Sequence, residues 1–93
     1  MTKTRILWDD DKDRLLRKER GVSFHDVIAA VESGKIVDNI MHHNQTKYPG
    51  QRVMIVDIND YIYAVPYVKD VNGNIFLKTI IPSRKLTKRY RKR

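Results

Sequence analysis

The sequence predicts a single α+β domain in which two helices precede an antiparallel β-meander of about four strands, and a short basic helix follows it. Three observations support this prediction. Apolar residues recur at helical spacing in the first third of the chain, β-rich runs fill most of residues 52–81, and the last ten residues carry seven cations. Since 93 residues can enclose only one modest core, residues 1–93 are expected to form one domain.

The first third of the chain is predicted to contain a short strand followed by two helices. An apolar run at residues 5–8 precedes three aspartates, which are typical of the first turn of a helix, and Gly21 is a natural end for that helix. Ser23 precedes Asp26 by three residues, the spacing of a capping box. Apolar residues at helical spacing follow Ser23, so a second helix is expected, ending at Gly34.

Four strands are predicted in the rest of the chain, at residues 36–41, 52–58, 61–68 and 75–81. Asn59-Asp60 and Asn72-Gly73 each supply residues that a two-residue hairpin loop requires. If both loops have two residues, Arg52 lies opposite Tyr67, and Tyr67 lies opposite Lys78. Residues directly opposite share a face, so these side chains would form one row. Both faces are apolar, and the sequence leaves open which one the helices cover.

Positive charge is concentrated at the C terminus. The chain has 19 Lys and Arg against 11 Asp and Glu, and the basic segment 84–93 holds seven of the cations and no acid. So dense a cluster attracts phosphates and releases their counterions, which favours polyanion binding, with Lys85, Lys88 and Arg89 among the contacts. The alternative is a solvated tail that aids solubility.

The candidate site combines cations with groups that can transfer a proton. Arg52, Lys78 and Arg84 could hold a phosphate, and Tyr67 could stack on an unpaired base or transfer a proton. Histidine titrates near neutrality, so His43 could serve in RNA cleavage, although a solvated loop histidine is the simpler alternative. RNA cleavage through its own 2′-hydroxyl needs only a proton acceptor and cations at the phosphate. No metal or cofactor is therefore expected.

Several features of other protein classes are missing from the sequence. The chain has no cysteine, which excludes disulfides, thiolate metal sites and cysteine nucleophiles. It has no glycine-rich phosphate loop and no His-x-x-x-His metal spacing. Its apolar runs are far shorter than a bilayer span, and no secretory signal segment is recognisable. A cytoplasmic protein that makes no membrane contact is expected.

Two stretches of the chain resemble a known family. Trp8-Asp9 with Lys12 and Lys18, followed by Gly21-Val22-Ser23-Phe24, is similar to the N-terminal signature of the BrnT toxins. Ile80-Ile81-Pro82-Ser83-Arg84 resembles the final strand of that family with its Ser-Ala-Arg-like turn and basic helix. The resemblance carries over Lys12, Lys18 and Arg84 as matching positions, and the first two are expected to contact RNA.

The resemblance implies a RelE-like fold and the toxin role in a type II toxin–antitoxin pair. Such a toxin is a small endoribonuclease that blocks translation. A cognate BrnA-like antitoxin would neutralise it, in a heterotetramer, and would contact DNA on behalf of the complex. Because one fold hosts several activities, two alternatives remain: a non-catalytic nucleic-acid-binding module, or a protein whose tail docks an acidic partner.

Overall fold

The structure, a computed structural model, describes residues 5–90 and confirms the predicted α+β architecture. The elements in chain order are β1 (Ile6–Leu7), α1 (Asp10–Arg20), α2 (Phe24–Glu32), β2 (Ile36–Met41), β3 (Arg52–Ile58), β4 (Tyr61–Lys69), β5 (Ile75–Leu77), β6 (Ile81–Pro82) and α3 (Arg84–Tyr90). The last three residues of the basic segment 84–93 lie outside the described residues. Within residues 5–90, every helix is too short or too polar to span a bilayer.

The first two helices begin and end at the residues that the sequence indicates. The Asp9 side chain accepts hydrogen bonds from the first backbone N–H groups of α1, and Gly21 ends this helix in the left-handed conformation, with φ of 65°. At the start of α2, Ser23 and Asp26 form both hydrogen bonds of the predicted capping box.

Asp13 joins α1 to α2. This residue is only 6% exposed, and its carboxylate accepts a hydrogen bond of 2.7 Å from the backbone N–H of Phe24 at the start of α2. The other carboxylate oxygen accepts from Nε of Arg17 at 3.0 Å. Asp13 therefore has a structural role within the run of aspartates.

The strands form a six-stranded sheet in the order β1-β5-β4-β3-β2, and β6 also pairs with β4. Strands β2 to β5 make the predicted antiparallel meander. β1 adds itself parallel to β5, a long-range pairing between the two ends of the chain. At the opposite edge, β2 leaves one side of the sheet unpaired within the described residues, and all six of its residues are exposed.

The first hairpin has the predicted register. Asn59 and Asp60 take φ of 52° and 67°, the left-handed backbone of a two-residue hairpin loop. Arg52 consequently lies opposite Tyr67.

The predicted register of the second hairpin is wrong by one residue, because Tyr67 pairs with Leu77 and not with Lys78. The cause is Asp70, whose carboxylate accepts hydrogen bonds from the backbone N–H groups of Asn72 and Asn74. The Asn74 backbone N–H, the larger contributor, lowers the pKa of Asp70 below its ordinary value. This local structure lengthens the loop to residues 70–74.

The last predicted strand is interrupted. β5 ends at Leu77, the Lys78 N–H still donates a hydrogen bond of 2.8 Å to the Pro66 carbonyl of β4, and strand pairing with β4 resumes at Ile81. Between them the carbonyl of Ile80 accepts a hydrogen bond of 2.6 Å from Nη1 of Arg20 at the end of α1. A side-chain donor thus takes the place of a strand partner, and the register shifts by one residue between β5 and β6.

Helices α1 and α2 cover the face of the sheet that carries Tyr67. Residues from both helices and from this face form the core, including Leu16, Phe24, Val27, Met54, Val56, Val65, Tyr67 and Leu77. We call the other side, which carries Val53, Ile55, Ile62, Ala64 and Pro66, the open face. The structure thus decides the question that the two apolar faces leave open.

Candidate functional site on the open face

Helix α3 lies across the open face and is attached at both ends. Ser83 caps the helix by accepting a hydrogen bond of 3.1 Å from the Leu86 N–H. Thr87 Oγ1 accepts a hydrogen bond of 2.9 Å from the backbone N–H of Ile62 in β4. At the far end the Tyr90 hydroxyl donates a hydrogen bond of 3.0 Å to the carboxylate of Asp38 in β2, and this hydrogen bond raises the pKa of Tyr90.

The cations of α3 point into solvent. Arg84, Lys85, Lys88 and Arg89 are all exposed, and none of them makes an ion pair with another described residue. Uncompensated charge of one sign on one helix produces a positive potential over this side of the molecule. This helix therefore provides four exposed cations at the border of the open face.

An apolar groove of about 270 Å³ lies beside α3, where the helix leaves the sheet uncovered. Its apolar lining includes Ile40, Val53, Ile55, Ala64, Pro66 and Leu86. His42 and His43, which follow β2, also line it. The groove therefore brings an imidazole pair to the side of the sheet that carries α3.

The rings of the two histidines are stacked, and the ring of Tyr48 contacts His42 at a tilt of 46°. The rings of His42 and His43 are parallel to within 20°, with centroids 4.6 Å apart, and Tyr48 lies 4.5 Å beyond His42. His42 Nδ1 accepts a hydrogen bond of 3.0 Å from the Asn44 N–H, which fixes its ring. His43 is the outer, exposed ring of the stack. The sequence alone does not indicate the contact of Tyr48 with His42, since only the fold of loop 42–51 brings the two rings together.

Lys78 lies apart from Tyr67. Its Nζ is 5.7 Å from the centroid of the Phe76 ring. Phe76 alternates with the buried Leu77 and so faces the open side of the sheet, whereas Tyr67 faces the helices. The predicted row of Arg52, Tyr67 and Lys78 is therefore wrong for Lys78, which lies on the same side of the sheet as the groove.

Arg52 and Tyr67 form a separate cluster on the helix-covered face, together with Asn39. The Tyr67 hydroxyl lies 2.7 Å from Asn39 Nδ2 and 2.9 Å from Asn39 Oδ1. Arg52 Nε donates a hydrogen bond of 3.1 Å to the same Asn39 Oδ1. Arg52 also donates a hydrogen bond of 3.2 Å to the backbone carbonyl of Asn39. The sequence alone does not indicate Asn39, because its role depends on the pairing of β2 with β3. Lys12 and Lys18 lie on α1, on the same side of the sheet.

Tyr67 is expected to act structurally. Tyr67 is only 3% exposed, so its ring has no free face on which a base could stack. Tyr67→Phe should lower the free energy of unfolding by about 1 kcal/mol through loss of the bond to Asn39, and should leave any RNA cleavage unchanged. Chemical denaturation and a cleavage assay measure the two effects. A large loss of cleavage with stability intact would restore Tyr67 as a proton-transfer group.

The open face thus has the groups that cleavage of a phosphodiester needs: exposed cations on the same side of the sheet as a groove, and an exposed imidazole that lines this groove. Within residues 5–90, no three His, Asp or Glu side chains are grouped so that they could hold a metal ion. Six of the ten predicted site residues lie on this side of the sheet: His43, Lys78, Arg84, Lys85, Lys88 and Arg89.

The structure is an α+β fold in which two helices cover one face of a mostly antiparallel sheet and a third helix lies across the other face. The crystal structure of the ribonuclease toxin BrnT from Brucella abortus is similar, with a TM-score of 0.65. The alignment covers 89% of this chain and 100% of that chain at 14% sequence identity. The chain therefore has the fold of a BrnT toxin. No family model matches the sequence, and no curated protein does.

Proposed function

We propose that this protein is the toxin of a type II toxin–antitoxin pair, a cytoplasmic and metal-independent endoribonuclease that blocks translation. The similarity to a ribonuclease toxin over nearly the whole of both chains carries the proposal. An exposed imidazole that lines the groove and exposed cations on the same side of the sheet support it further.

In the proposed reaction the 2′-oxygen of a ribose attacks the adjacent phosphorus, and the bond from phosphorus to the 5′-oxygen breaks. His43 accepts the proton of the 2′-hydroxyl, and the departing 5′-oxygen takes up a proton from water. Lys78 and Arg84 stabilise the negative charge that grows on the phosphate oxygens. The products are a 2′,3′-cyclic phosphate and a 5′-hydroxyl end.

The remaining cations have a binding role in this proposal. Lys85, Lys88 and Arg89 hold the phosphates of the RNA strand beside the groove. Lys12, Lys18 and Arg52 lie on the other side of the sheet, so a strand reaches them only around its edge. We assign these three residues to peripheral RNA contacts and to no part of the chemical step.

Cleavage of single-stranded RNA in the presence of EDTA tests the proposed reaction. The purified protein is expected to cut a labelled RNA, leaving 2′,3′-cyclic phosphate and 5′-hydroxyl ends, and to leave the all-DNA analogue intact because it lacks the 2′-hydroxyl. A strict requirement for Mg²⁺ would contradict the mechanism. Tight RNA binding without any cleavage would favour the non-catalytic binding module.

The proposed partner is a BrnA-like antitoxin in a heterotetramer, with DNA bound only through the antitoxin. An inhibitor must cover the cations of α3, so an acidic or amphipathic antitoxin segment is the complementary ligand. The neighbouring edge strand β2 exposes Ile36, Val37, Ile40 and Met41 by 39–57%, which provides an apolar docking surface beside that charge.

The contribution of α3 to RNA binding can be measured through salt dependence. Lys88→Gln combined with Arg89→Gln removes two cations that bind phosphate while keeping Tyr90, which attaches the helix to Asp38. The slope of log affinity against log salt for single-stranded RNA should fall by roughly 0.7 for each phosphate that is no longer neutralised. Cleavage at saturating RNA should change less, since Arg84 remains. An unchanged slope would mean that these cations are merely solvated.

A further inference from the structure

We infer that the groove on the open face holds one unpaired nucleobase of a single-stranded RNA, beside the ring of His43, while neighbouring phosphates contact α3. The inference rests on the proposed RNA-directed function, but it concerns recognition of the substrate and requires no cleavage.

The size of the groove favours a single flat group. Its volume of about 270 Å³ lies just below the range typical of sites that enclose a whole drug-sized ligand. Its walls are side chains of Val53, Ala64, Pro66 and Leu86, which offer apolar contact and almost no hydrogen-bonding specificity. Transfer of a heterocyclic base from water into this groove is therefore favourable, and the groove discriminates little between different bases.

The ring stack provides the aromatic surface that bases use in single-strand recognition. His43 is exposed, and the contact of its ring with His42, which in turn contacts Tyr48, holds it in place. Lys47 adds a cation 5.4 Å from the centroid of the Tyr48 ring. A base that stacks against the open side of His43 extends an existing stack, as bases do on aromatic side chains of single-strand-binding proteins.

Charge distinguishes a nucleic acid from an apolar peptide. Leu86 lines the groove from within α3, and Arg89, three residues further along this helix, lies on the same side of it, so positive charge adjoins the groove. A base in the groove and its phosphates on α3 satisfy both features together. A duplex keeps its bases paired and stacked, so single-stranded RNA is the predicted ligand.

Affinity measurements with two uncleavable ligands test the inference. One is a single-stranded 2′-O-methyl RNA, and the other is a sugar-phosphate chain of the same length and charge with no bases. The protein is expected to bind the RNA about tenfold more tightly than the baseless chain. Equal affinity would overturn the inference, as would a poly-glutamate chain of the same charge that binds as tightly as the RNA, because negative charge alone would then account for the affinity.

A groove-filling variant locates the effect. Ala64→Leu places a larger side chain in the groove, and it should abolish the preference for bases while affinity for the baseless chain remains. Ala29→Leu is the matched control, since Ala29 lies on α2 beside a separate depression, and it should keep the tenfold preference. Val53→Phe fills the same groove from β3 and serves if Ala64→Leu does not fold. Retention of the preference in a folded groove-filling variant would overturn the inference.

Cleavage of unmodified RNA, measured on the same protein samples, separates this inference from the proposed function. Cleavage by a protein that shows no base preference would overturn the nucleobase site alone. A base preference that Ala64→Leu removes, in a protein that cleaves nothing, would overturn the proposed reaction and leave the nucleobase site standing.

Discussion

Replacing Lys78 and Arg84 together by alanine is expected to abolish growth inhibition by this protein and to lower RNA cleavage at least a thousandfold. Both cations lie on the same side of the sheet as the groove, and each should stabilise the charge that develops on the phosphate. One such donor contributes about 2–4 kcal/mol to transition-state stabilisation, and every 1.4 kcal/mol corresponds to roughly tenfold in rate. Growth on induction of the gene and single-turnover cleavage of a labelled RNA measure the effect.

The matched control is Arg14→Ala combined with Lys69→Ala, which removes the same charge from exposed positions outside the groove. This control should remain toxic and should cleave RNA at close to the normal rate. Both double variants should unfold at similar temperatures, because all four residues are exposed. A folded, well-expressed Lys78→Ala and Arg84→Ala variant that is still fully toxic would show that the site is placed wrongly.

Replacing Asp13 by alanine is expected to cost about 2–3 kcal/mol of stability, the largest effect among the aspartates at residues 9–13. The change leaves the buried N–H of Phe24 without a partner, which costs about 1–3 kcal/mol, and α1 loses its polar link to α2. The bond to the half-exposed Arg17 adds little. For a domain of this size the loss corresponds to roughly 10–20 °C in melting temperature, measurable by circular dichroism.

Asp10→Ala and Asp13→Asn are the controls for this prediction. Asp10 is exposed in the first turn of α1, so its removal should cost only about 0.5 kcal/mol, the value of a helix-dipole interaction. Asp13→Asn keeps an oxygen acceptor for the Phe24 N–H and should recover part of the loss. Equal effects of Asp10→Ala and Asp13→Ala would mean that the buried hydrogen bond contributes nothing beyond helix-terminal charge.

The sequence by itself determined the parts of this fold whose signals are local. Capping groups and apolar spacing place α1 and α2, because a helix end is specified by side chains within one turn of it. The Asn59-Asp60 turn fixes the register of Arg52 against Tyr67, since few residues take the left-handed backbone of a two-residue loop. The cationic character of α3 is likewise evident from residue order.

The tertiary structure decided which candidate residues meet. Both faces of the sheet are apolar, so only helix packing reveals that Tyr67 is buried and that the groove lies on the other side. The hydrogen bonds of the Asp70 carboxylate set the register of β5, which separates Lys78 from Tyr67. A register shift of one residue moves a side chain to the opposite face, and the loop that sets this shift depends on side-chain hydrogen bonds.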